Sequence, residues 1–91
     1  MATMIVRHRV ANFDAWKKVF DSMHDVRVKE FNWLGTEVYR DESDPNYVTI
    51  IDRVKDLASA KRYGGSQVLK DAMARAGVIS APDVTFLTEA G

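Results

Sequence analysis

Three residue types that do chemistry sit in apolar company in this sequence. His8 falls on the strand face that also holds Met4, Val6 and Val10. Asp52 falls on a face with Val48, Ile50 and Val54. Arg27 lies inside the apolar stripe of a helix, between Trp16 and Phe20 on the wheel. A carboxylate beside an imidazole orients it and raises its pKa, which makes it a general base near neutrality. An arginine in the same space can hold a carboxylate or stabilise an enolate. The expected catalytic set is therefore His8, Asp52 and Arg27. A structural role for the same three stands beside it, because buried polar groups must find partners and could satisfy one another.

Around these lie candidate substrate contacts. Trp16 and Phe20 belong to the apolar stripe, His24 sits at its edge, and Tyr39 could donate a hydrogen bond to a substrate oxygen. Two histidines without a ligand spacing give no reason to expect a metal, and with no cysteine there is no thiolate nucleophile and no Cys-ligated zinc or iron–sulfur site. Gly64-Gly65 lacks the strand and Lys-Ser/Thr context of a phosphate loop and reads as a helix break. No cofactor is expected.

The elements that must position these residues follow from periodicity. Thr3–Val10 alternates as a strand, with Thr3, Ile5, Arg7 and Arg9 on the second face. Asn12 caps a helix expected to run to about Phe31. Trp33–Arg40 is a second strand, 41–46 is a hairpin loop, and Tyr47–Val54, rich in β-branched residues, is the strongest strand. Asp56 caps a second helix from Leu57; Gly64-Gly65 interrupts it, Ser66 re-caps it and Gly77 ends it. Val84–Thr88 is a last strand. The order β-α-β-β-α-β with right-handed crossovers gives an α+β, ferredoxin-like fold: a four-stranded antiparallel sheet in the order 4-1-3-2 with both helices on one face. Strands 1 and 3 are then antiparallel neighbours, which puts His8 and Asp52 within reach of each other.

Length and composition bound the rest. The 91 residues are expected to form a single domain, 1–91, burying about 60–65% of the unfolded chain's surface. Apolar residues are 46% and charged residues 29%, which argues against disorder. Thirteen Lys and Arg balance thirteen Asp and Glu, against the basic excess of nucleic-acid binders. No signal peptide and no run long enough to span a membrane is seen, so the expected address is the cytoplasm. The sheet face away from the helices carries Ile5, Tyr47, Ile51 and Tyr39 or Val38, which is too much apolar surface to leave wet. A homodimer packed sheet against sheet is expected.

A family resemblance covers nearly the whole chain. Val6-Arg7-His8-Arg9-Val10, Asn12-Phe13-Asp14-Ala15-Trp16-Lys17, Phe20-Asp21, Arg27, Val38-Tyr39-Arg40, Asp44-Pro45-Asn46, Asp56-Leu57, Ala60 and Met73 with Ala76-Gly77-Val78 carry it. The chain resembles the small "cyclase" or antibiotic biosynthesis monooxygenase-like bacterial proteins of the dimeric α+β barrel superfamily. That resemblance implies a homodimer with a pocket in each subunit between sheet and helices. Related polyketide cyclases use a first-strand histidine as base, and His8 occupies a comparable place. The haem-degrading branch is not indicated, since Asn12 starts the helix and the second helix has no histidine. Asp52 departs from the apolar residue expected at its position. Cofactor-free oxygenases of the superfamily place Trp, Tyr and Arg around a carbanion, a role open to Trp16, Tyr39 and Arg27.

The resulting expectation is a cofactor-independent enzyme of cyclase or isomerase type, removing a proton from a polyketide-like carbonyl compound. One alternative is a cofactor-free monooxygenase, reached if oxygen meets the carbanion. The other is a non-catalytic, small-molecule-binding or structural homodimer.

Overall fold

The computed structural model covers residues 1–91 and runs β1 (Ala2–Arg9), α1 (Phe13–Ser22), α2 (His24–Phe31), β2 (Trp33–Arg40), β3 (Tyr47–Val54), α3 (Leu57–Gly64), α4 (Gln67–Ala76) and β4 (Asp83–Thr88). The sheet is antiparallel with order β2-β3-β1-β4, the expected ferredoxin-like arrangement. Strand alternation sends Met4, Val6 and His8 of β1 and Val48, Ile50, Asp52 and Val54 of β3 into the core beneath the helices.

The caps act where the side chains predict. Asn12, Asp56 and Ser66 each accept a hydrogen bond from a backbone N–H of the first helical turn. Gly77 closes α4 at φ 78°, a left-handed position that a side chain would strain.

The first long helix is not continuous. It breaks at Met23, whose N–H bonds back three residues to the Phe20 carbonyl. The Ser22 hydroxyl also bonds to the Val19 carbonyl at 2.6 Å, a back-bond that bends helices. The apolar spacing runs on through the break, which is why periodicity alone predicts one helix. The break at Gly64-Gly65 is where it was expected.

Register corrects one expectation. His8 pairs with Val48, while Asp52 pairs with Met4. Four residues along a strand separate the two positions by roughly 13 Å. Both residues lie toward the C-terminal ends of their strands, and antiparallel pairing carries those ends to opposite ends of the sheet. His8 and Asp52 do not touch.

The second correction concerns Tyr39. In β2, Thr36 and Val38 face inward opposite Asp52 and Ile50, so Glu37 and Tyr39 face out. A register irregularity between Trp33 and Gly35 sets this phase. Tyr39 is 50% exposed and donates to Glu37, away from the helices. It shares the open sheet face with Ile5, Tyr47, Ile51 and Leu87, while Arg7 and Arg9 lie over the Tyr47 ring.

Candidate functional site

Beneath the helices is a cavity of about 40 Å³. That holds roughly two or three waters. Twelve of its fifteen lining residues are hydrophobic; the polar three are His8, Arg27 and Asp52. The three residues singled out by their apolar company thus meet one space, although they do not form the expected pair.

His8 is 2% exposed, and neither Nδ1 nor Nε2 has a hydrogen-bond partner. The edge-on indole of Trp16 is its aromatic neighbour, with ring centroids 5.9 Å apart. Burial penalises the imidazolium and lowers the His8 pKa to about 4. The sequence-based expectation had the opposite sign, because it relied on a carboxylate that the register carries elsewhere. At neutral pH His8 is an uncharged imidazole with a free lone pair facing a mostly apolar cavity.

Asp52 is committed differently. Its Oδ1 accepts from Trp33 Nε1 at 2.9 Å and from Thr36 Oγ1 at 3.0 Å, tying β2 to β3. Burial raises its pKa, against the pull of these two donors and of the Arg27 charge. Neither Trp33 nor Thr36 was foreseen in this role. Inward phase at position 36 was the available signal, and it depends on the irregularity at Gly35.

Arg27, from the middle of α2, is 3% exposed and does not snorkel to water. Its Nε has no partner. The ion pairs in contact are Arg9–Asp44, Lys17–Asp21 and Arg53–Glu37, so Arg27 has no carboxylate in contact. Its guanidinium lies 4.0 Å from the centre of the Phe20 ring, which itself stacks on Trp16 at 4.9 Å. Tyr63 also lines the cavity; burial raises its pKa, and the Arg27 charge and a hydrogen bond from Arg27 oppose that rise.

A second, open cleft of about 690 Å³ lies between α1, α2 and β2. Phe20 and Arg27 line both spaces and form the wall between them. His24 faces the cleft and not the cavity, whereas Trp16 faces the cavity alone. No group of three or more His, Cys, Asp or Glu side chains is placed to hold a metal ion, and no helix is long and apolar enough to cross a membrane.

No protein-family model and no curated protein sequence matches the chain. Solved structures do. SnoaB, a cofactor-independent oxygenase from Streptomyces nogalater, superposes with a TM-score of 0.78 at 13% identity, covering 99% of this chain and 93% of that one. A candidate antibiotic biosynthesis monooxygenase from Caulobacter crescentus gives 0.77 at 19% identity, over 99% and 90% of the two chains. A conserved protein from Methanosarcina mazei gives 0.72 at 16% identity, over 94% and 90%. At such identities the likeness is one of fold. The chain shares the fold of these antibiotic biosynthesis monooxygenase-like structures, a four-stranded antiparallel sheet covered by helices.

Proposed function

We propose that this protein is a cofactor-free enzyme that removes a proton α to a carbonyl on a small, mostly apolar molecule. The observation that carries the reading is the pairing, in one apolar cavity, of an unpartnered neutral imidazole and a guanidinium without a contact carboxylate. His8 accepts the proton. Imidazolium is costly in that cavity alone, and the enolate formed in the same step supplies its counter-charge. Arg27 stabilises the oxygen on which the negative charge develops. Asp52 holds the Trp33–Thr36 wall and has no part in orienting His8.

The carbanion then takes one of two routes. Attack on oxygen favours a monooxygenase: a methylene and O2 become a carbonyl and water, so O2 is the only oxidant and no reductant is consumed. The fold shared with the cofactor-independent oxygenase SnoaB supports this route. Return of the proton elsewhere, or closure on a second carbonyl, gives the isomerase or cyclase. The cavity must enlarge to admit any such substrate, and the Phe20 wall beside the cleft is where it can. The open sheet face, with Ile5, Ile51, Tyr47 and Leu87, is the surface through which two copies pair.

The test is hydrogen–deuterium exchange of 2-tetralone α-protons, followed by NMR. The wild type is expected to accelerate exchange, and His8→Ala to return it to the buffer rate with an unchanged circular dichroism spectrum. Full acceleration by His8→Ala ends this mechanism.

A further inference from the structure

Arg27 carries a second message, which rests on the reading just given. A buried guanidinium without an anion in contact is an expensive thing to keep folded. An enolate exists only during turnover and does not offset that cost in the resting complex. The neighbouring carboxylates are otherwise engaged: Asp52 takes its hydrogen bonds from Trp33 and Thr36, and Asp21 is paired with Lys17 at 2.7 Å. Burial also favours the neutral form of Asp52, which lessens its competition with an incoming anion. Arg27 belongs to both spaces: the apolar cavity with His8, and the cleft open to water with Lys17, His24 and Thr36. A guanidinium fork has five donors and can serve two oxygens in different directions.

We propose that the ligand of this site is a keto acid, whose carboxylate docks on Arg27 from the outer cleft while its enolisable carbon enters the inner cavity against His8. Phe20 marks the crossing point. Its ring covers the guanidinium now, and the ligand takes its place there. The carboxylate keeps water on its cleft side, so its desolvation is partial, while the apolar remainder of the molecule replaces water in the cavity.

The experiment compares 4-oxo-4-phenylbutanoate with its primary amide, which has the same shape without the charge. Calorimetric titration of the wild type is expected to show the acid binding at least ten-fold tighter, with the preference shrinking as salt rises. Arg27→Met is expected to abolish the preference and Arg27→Lys to keep part of it. Equal or tighter binding of the amide, no binding of either compound, or an acid preference that survives Arg27→Met overturns the proposal. Should Arg27→Met fail to fold, the wild-type comparison decides alone. α-Proton exchange in the same samples separates this inference from the one beneath it. His8-dependent exchange of the amide without acid preference removes the carboxylate site and leaves the enzyme. Acid held by Arg27 with no exchange removes the enzyme and leaves the carboxylate site.

Discussion

At the residue scale, the decisive property of His8 is that it is buried neutral. The folded pKa, about 4, lies below the unfolded value near 6.5. Above pH 6.5 neither state binds the proton. As pH falls below 6.5 the unfolded chain takes one up and the native chain does not, so stability drops until about pH 4. The loss amounts to about 3 kcal/mol. Asp52 works in the opposite direction, since a raised carboxylate pKa gives stability that is lost as pH rises from about 4. The two windows overlap, so the measurement must isolate His8. Urea unfolding of wild type and His8→Asn across pH 4–7 is expected to show the wild type losing about 3 kcal/mol relative to the variant toward acid. Parallel curves would contradict a buried neutral imidazole. This residue also shows where the sequence stops informing. Its inward face and apolar company are legible from alternation, but the sign of its pKa shift depends on which residue stands opposite. Loop composition does not fix the β1–β3 register, because helices and β2 intervene between the two strands.

At the element scale, β3 and β2 are tied through Asp52, Trp33 and Thr36. Asp52→Ala leaves the buried Trp33 N–H without an acceptor and is expected to cost about 1–3 kcal/mol. For a chain of this size that lowers Tm by at least 4 °C or so, measurable by calorimetry. Asp52→Asn keeps an acceptor oxygen. It is expected to be milder and to leave α-proton exchange within a few-fold of wild type. A His8-like collapse of exchange in Asp52→Asn would restore the paired mechanism that the register argues against. Caps at Asn12, Asp56, Ser66 and Gly77 and the strand faces are readable because each is a local rule, satisfied within a few residues. The break at Met23 is not. It goes with the Met23 N–H bonding back to the Phe20 carbonyl and the Ser22 hydroxyl bonding to the Val19 carbonyl, which leave the apolar stripe intact. Likewise the outward turn of Tyr39 follows from one irregularity near Gly35 that flips every later side chain of β2.

At the scale of the whole molecule, the fold is overdetermined and the chemistry is not. Element order, crossover handedness and one buried sheet face leave little choice but the β2-β3-β1-β4 sheet. That sheet leaves one face without helices, and two copies are expected to pair through it. Ile51→Asp places a charge at the centre of the face, opposite Ile5 and Glu37. Light scattering is expected to report a dimer for the wild type and a monomer for Ile51→Asp; a wild-type monomer would refute sheet-to-sheet pairing. The cavity, by contrast, depends on three side chains, from β1, β3 and α2, meeting in one space.

The proposed mechanism requires His8 to take a proton from a carbon acid held in this cavity. Its most direct test is 15N NMR of imidazole-labelled protein at pH 7, with and without saturating 1,3-indandione, whose anion is a flat enolate. Free His8 is predicted to give the widely split pair of a neutral ring. Bound, it is predicted to give the converged signals of imidazolium, with His24 largely unmoved. Saturation by indandione with His8 still neutral would rule out His8 as the base.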